Sequence, residues 1–173
     1  LISQEINALT TLNEVCAYLV RKLQSIVTCN DMAVVVFNRG GSTLFCYSGQ
    51  ECAAWPEEHS KIAYELLAGF KETTFIRNDQ EKMEFLPEAF GASEKMVAFP
   101  LRHEGQFLGS MLIACPRRCN CVTKDLDIIE IILAQSTGAI RRALAHEEEI
   151  RELRTRIEKS SGFGGLIGKD PQM

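Results

Sequence analysis

The stretch that decides the fold is Met96-Val-Ala-Phe-Pro-Leu-Arg-His-Glu-Gly-Gln-Phe-Leu-Gly-Ser-Met-Leu-Ile-Ala-Cys115. Its apolar runs, Met96–Leu101 and Phe107–Ala114, flank the turn composition Arg102-His103-Glu104-Gly105-Gln106, which predicts a β-hairpin. Neither run alternates strictly between apolar and polar residues. Each strand is therefore expected to be covered on both faces, with the hairpin central in its sheet and helices on one side. Pro100 has no N–H to give to a ladder and is expected at an edge, a bulge or a last paired position. Gly109, inside the second run, predicts a bulge or the close approach of another backbone.

Working outward toward the N-terminus, Glu72–Arg77 reads as a short strand, and Asn78–Glu94 as a charged loop with a helical turn. A helix is predicted over Glu57–Ala68, opened by Pro56 and two acidic residues and closed by Gly69, with Ile62, Leu66 and Leu67 as its buried positions. Met32–Phe37 and Thr43–Ser48 read as paired strands around the turn residues Asn38–Ser42. Residues 2 to 27 place Ile2, Ile6, Leu9, Leu12, Val15, Cys16, Leu19, Leu23 and Ile26 on one stripe, the spacing of a single long amphipathic helix.

Toward the C-terminus, Pro116–Cys121 is a loop and Thr123 an N-cap for a last helix that runs to about Lys159. Leu126, Ile129, Ile132, Leu133, Ser136 and Ile140 give its first half a broad face for the domain core. Beyond Arg141 the apolar stripe narrows to Leu144, Ile150, Leu153 and Ile157 among alternating charges, which suits a short coiled coil, and a homodimer through the first and last helices is expected, with Ile140 joining those four at the interface. Ser160–Gly165 is expected to end the helix. Together these elements predict an α+β fold, an antiparallel sheet with the long terminal helices packed on one face.

Composition narrows the function. The 173 residues are 46% hydrophobic, ordinary for a globular core, and carry a formal charge of −4, which offers no basic field for nucleic acid or an anionic membrane surface. No apolar run reaches the length of a membrane span, and the opening residues are not a signal peptide, so a cytoplasmic protein is expected. The absence of an initiating Met fits a piece of something longer. Seven cysteines, an odd number scattered through a chain of this size, argue for reduced thiols over a disulfide framework.

The hairpin segments Val97-Ala98-Phe99-Pro100-Leu101, Gly105 and Phe107-Leu108-Gly109-Ser110-Met111-Leu112, with Val122-Thr123-Lys124-Asp125-Leu126 opening the last helix, resemble the GAF domain, a small-molecule sensor fold of bacterial signalling proteins. The resemblance spans about residues 5 to 145. Phe163-Gly-Gly-Leu-Ile-Gly-Lys-Asp-Pro-Gln-Met173 resembles the opening of the AAA+ domain of transcription activators that work with the sigma-54 factor. The implied organisation is a GAF sensor over 1–145, a helical linker over 146–161, and the approach to an AAA+ domain over 162–173. Gly168-Lys169 is not a phosphate loop, because Phe163 and Asp170 stand where that motif needs Gly and Ser or Thr.

The GAF resemblance places a small-molecule effector between the sheet and the segment holding the second helix and the long loop. Trp55, His59, Phe75, Arg77, Met83, Phe85, Phe99 and Arg102 are the candidate lining, with Arg77 or Arg102 able to pair with an anion. The cofactor is left open by the sequence. Cys115, Cys119 and Cys121 lie beside two arginines and could instead form a metal or redox site, although paired Cys-x-x-Cys spacing is missing. Neither His59, His103 nor His146 sits in a nucleophile motif, so no enzyme is expected. Residues 70–95 lack the cysteines of the GAF-type methionine sulfoxide reductases, and Asn78, Lys82 and Phe85 only echo the cyclic-nucleotide motif, with Glu88-Ala89 at its acidic pair. A ligand-free dimerisation scaffold, its cavity filled by Phe75, Phe85 and Phe99, is the remaining alternative.

Overall fold

The computed structural model describes residues 6, 11–27, 31–38, 43–47, 53–54, 57–77, 95–115 and 124–168. In chain order these form α1 (Leu12–Ile26), β1 (Asp31–Phe37), β2 (Thr43–Tyr47), β3 (Ala53–Ala54), α2 (Glu57–Leu67), β4 (Thr74–Arg77), β5 (Lys95–His103), β6 (Gln106–Cys115) and α3 (Leu126–Gly168). The sheet has 6 strands in the order β3-β2-β1-β6-β5-β4, and all neighbours are antiparallel. The β5–β6 hairpin is central, as its unbroken apolar runs require. Among the described residues no helix is long and apolar enough to cross a membrane.

Both faces of the sheet are covered. Val34, Val36, Val97, Phe99, Leu101, Met111 and Ile113 form one core with α1 and with Ile129, Ile132, Leu133 and Ile140 of α3. Ala33, Val35, Ile76, Met96, Ala98, Leu112 and Ala114 form a second core with Ala63 and Leu67 of α2. The polar residues caught inside are satisfied locally: the Ser110 hydroxyl donates to the Phe99 carbonyl at 3.2 Å, and Ser136 donates to the Ile132 carbonyl at 2.7 Å.

Gly109 pairs with Val36 of β1 and Leu101 of β5. A Cβ there would lie 2.0 Å from the Val35 carbonyl oxygen, so the close backbone approach expected at this glycine is present. The pairing Leu101↔Gly109 is followed by Arg102↔Phe107, which leaves Leu108 as the extra residue of a bulge. Pro100 faces Ser110 within the β5–β6 ladder, but the ladder on its other side has already ended at Thr74↔Ala98. Its missing N–H therefore falls where β4 has no residue to meet it.

Three expectations are corrected. The single helix predicted from residue 2 to 27 is broken at Thr11: Ile6 is helical, but Thr11 is extended and its side chain accepts the Glu14 N–H at 3.2 Å, capping a helix that starts at Leu12. Ile6 is buried in the α1–α3 core, whereas Ile2 and Leu9 lie outside the described residues. On α2 the buried residues are Ser60, Ala63 and Leu67, while Ile62 is 55% exposed and Leu66 half-buried. Small side chains face the sheet there because the strands opposite present alanines. Finally, α3 does not stop near Lys159 but runs through the glycines to Gly168. Glycine weakens a helix by about 1 kcal/mol yet keeps its N–H, so it does not break the ladder as proline does.

Candidate functional site

The face of the sheet opposite α1 and α3 carries α2, and at one end of it a cluster of rings gathers around a guanidinium. Phe37 closes β1, Phe107 opens β6, and Tyr64 reaches them from α2. Phe37 and Tyr64 meet edge to face at 5.2 Å between centroids, and each lies 5.8 Å from Phe107. Arg102, the cross-strand partner of Phe107, stacks over that ring at 5.2 Å.

Its Nη2 donates to the Ala68 carbonyl at 3.2 Å and the Phe70 carbonyl at 3.3 Å, just past the end of α2. A cation at the carbonyl end of a helix meets the negative pole of the macrodipole, so Arg102 holds α2 onto the sheet. Its Nε is buried with no hydrogen-bond partner, and among the described residues no carboxylate pairs with it. The guanidinium is thus held between the two carbonyls and the Phe107 ring.

Of the lining residues expected from sequence, Arg102 is the one the structure brings to this cluster. Phe99 is 1% exposed in the opposite core, with α1 and α3. Phe75 pairs with Val97, a member of that same core, and is 50% exposed. Successive strand residues point to opposite faces, so Phe75 and Phe99 are excluded from the α2 side. They cannot fill a cavity there. His59 lies exposed on α2, and Arg77 belongs to β4 by its backbone, its side chain outside the described part. Trp55, Met83 and Phe85 lie outside the described residues. Sequence reading missed Phe37, Tyr64 and Phe107. The available signal was that two of them border turns and one sits on the second helix.

Cys115 ends β6, while its side chain and the whole of Cys119 and Cys121 lie outside the described part. Among the described residues no cluster of histidine, cysteine and carboxylate side chains could hold a metal. Cys16 is a free, fully buried thiol on α1. Burial pushes its pKa far above the ordinary range, and the Glu147 carboxylate adds to the shift.

On the other side of the sheet, the residues expected to pair two copies divide. Ile140 is fully buried in its own domain, which removes it from any interface between copies, and Leu144 is half-buried against the same core. Ile150 is half-buried, whereas Leu153 and Ile157 are 53% and 62% exposed. A shallow groove of about 170 Å³ lies between α3 and the sheet end that carries Phe37, lined by residues that include Phe37, Gln106, Leu108, Arg141 and Leu144.

No protein-family model matches this sequence, and no curated protein matches it. Solved structures do. The GAF domain of a two-component sensor histidine kinase from Bacillus halodurans superposes with a TM-score of 0.61 at 12% identity, covering 80% of this chain and 99% of that one. The GAF domain of a phosphoenolpyruvate-protein phosphotransferase from Acinetobacter gives 0.59 at 15% identity, over 83% and 90%. Free methionine-R-sulfoxide reductase from Neisseria meningitidis, solved with its substrate, gives 0.52 at 14% identity, over 82% and 87%. The likeness establishes the architecture: this chain has a GAF-like α+β fold.

Proposed function

We propose that this is a non-catalytic, small-molecule-sensing GAF domain that regulates a C-terminal AAA+ activator of the sigma-54 class in the bacterial cytoplasm. The observation that carries the reading is the continuity of α3. One helix runs from a buried stretch, Ile129 to Ala143, to a tail where Leu153 and Ile157 face solvent, and on to Gly168. Such a helix transmits any shift of its packed half to whatever its free half grips. The spacing of half-buried Ile150 and exposed Leu153 and Ile157 suits a second copy of the same helix. The AAA+ domain is inferred from the resemblance of residues 163–173 to the start of that motor.

The effector site is the α2 face, with Arg102 as its fixed cation and Phe37, Tyr64 and Phe107 as its aromatic wall. For signalling, the effector must bind one arrangement of α3 more tightly than the other, because equal affinity shifts nothing. Native mass spectrometry of freshly purified protein beside a denatured control, with iron and zinc analysis, tests the site. Metal-free extra mass carried by the native form alone is expected. Stoichiometric metal would move the reading to Cys115, Cys119 and Cys121, and an empty dimer would favour the scaffold. Charged residues in place of Ile150 and Leu153 are expected to convert the dimer to monomer in sedimentation, with the domain still folded.

A further inference from the structure

At the β5–β6 turn, consecutive residues grip helices on opposite faces of the sheet. Toward α2, Arg102 donates to the carbonyls of Ala68 and Phe70. Toward α3, His103 Nδ1 lies 3.5 Å from Thr137 Oγ1, and Arg141 Nη1 donates to Glu104 Oε2 at 3.0 Å. Between these contacts the backbone is held in an unfavourable form. Glu104 has φ of 50° and Gly105 of 81°, the pattern of a type I′ turn, whose first central place favours Asn, Asp or Gly. A glutamate in the left-handed region is strained, and such strain persists only where its surroundings hold it.

The position along α3 matters. Ile140 and Ala143 are buried, and among the described residues none beyond Ala143 is. Arg141 therefore stands near the end of the buried stretch, where the helix begins to leave the domain past half-buried Leu144 and Ile150. A second tie, Thr73 Oγ1 donating to Glu130 Oε1 at 2.8 Å, reaches α3 beside buried Ile129 and Ile132. A pull there is resisted by the core, whereas a pull at Arg141 acts on the exit itself.

We propose that the β5–β6 turn is the link by which a change at the C-terminal end of α2 reaches α3 at its exit. Movement of the Ala68 and Phe70 carbonyls frees Arg102, the strand end relaxes, Glu104 leaves its left-handed conformation, and Arg141 is released. The free half of α3 then changes its setting relative to the sheet. The purpose of this link rests on the sensor reading, but its existence does not, and it is measurable with no effector present.

The test is amide hydrogen exchange of the effector-free protein and three variants: Glu104→Asn, Arg102→Gln and the double substitution. Asparagine suits the left-handed position, so Glu104→Asn keeps the hairpin intact while removing the carboxylate that holds Arg141. Peptides from residues 138–150 are expected to exchange about three- to tenfold faster in Glu104→Asn, with β5 and β6 no faster than in the parent. Arg102→Gln should speed both the end of α2 and the same α3 peptides, and should add nothing on α3 once Glu104 is already Asn. Unchanged α3 exchange in Glu104→Asn overturns the link, as do independent, multiplying effects in the double variant. Should Arg102→Gln accelerate every peptide, showing global loosening, Glu104→Asn decides alone. An empty site in mass spectrometry would remove the sensor reading and leave this result standing.

Discussion

Toward α1 and α3 the sheet presents Val34, Val36, Phe99, Leu101, Met111 and Ile113, while toward α2 it presents Ala33, Val35, Ala98, Leu112 and Ala114. The first set meets two helices through large side chains that are fully enclosed. The second is equally enclosed, and among the described residues it meets one short helix through Ala63 and Leu67, with Leu66 and Phe70 packed beside them. Burial of a large apolar side chain stabilises by about 1.5–3 kcal/mol, and an alanine contributes much less. Among the described residues the larger buried side chains therefore lie on the α1–α3 face, and the α2 face is expected to be the one that yields first. The cation on the terminal carbonyls of α2 adds to the apolar contact of Ala63 and Leu67.

The comparison is most sharply tested at Phe99. Phe99→Ala is expected to cost about 3–5 kcal/mol in urea unfolding, from lost burial and a cavity between the sheet and both helices. A cost below about 1.5 kcal/mol would mean that this face collapses easily and is not the rigid side. Gly109→Ala comes next. Its Cβ would sit 2.0 Å from the Val35 carbonyl oxygen, so β1 and β6 must separate to admit it. A loss of about 2–3 kcal/mol is expected, read as a lower melting temperature. An unshifted melt would show that the ladder absorbs the methyl group.

These positions also mark how far the sequence could be read. The hairpin was legible because Gly105 and its polar neighbours interrupt two long apolar runs, and Gly109 because a glycine inside a strand has few other reasons to be there. The face of Phe99 was not legible. Ala98 and Phe99 are both apolar, so alternation gives no parity, and the pairing of Phe99 with Met111 cannot be seen in one strand. On α2 the large aliphatic residues Ile62, Leu66 and Leu67 carry the prediction, and Leu67 is buried as expected, whereas the alanines of the facing strands select Ala63 over Ile62. The start of α1 was hidden because the apolar stripe continues across Thr11, and periodicity does not register a cap. Ile140 was assigned to a dimer because the core stripe and the free stripe of α3 join without a break. The candidate site was the least legible part, since Arg102 and Phe107 meet only across the strand pair and Tyr64 arrives from another element.

A smaller effect separates the faces by pH. Cys16 is enclosed in the α1–α3 core, and its thiol pKa is raised by burial, with Glu147 adding to the shift. In the unfolded chain the same thiol ionises near pH 8.5. Above that pH the unfolded state has released a proton that the folded state retains, so this group lowers stability as pH rises, by up to about 1.4 kcal/mol per unit. Below it the contribution is fully present. Melting curves at pH 7.5 and 9.5 are expected to separate more for the parent than for Cys16→Ala. Parallel losses would show that Cys16 is hydrated and the face less dry than its packing implies.

The smallest expected effect lies on the yielding face. Ile62 is 55% exposed on α2, so Ile62→Gln removes little buried area and exchanges one adequate helix former for another. Its cost in urea unfolding should stay within about 0.5 kcal/mol, the range of ordinary surface substitutions. That near-neutrality is informative because the same change at a residue packed on α1 or α3 would bury an unsatisfied amide and cost several times more. A loss above about 1.5 kcal/mol, especially one that grows with protein concentration, would mean that Ile62 is covered in solution by a second copy. The thin face would then be an interface, and the yielding side of the sheet would have to be sought elsewhere.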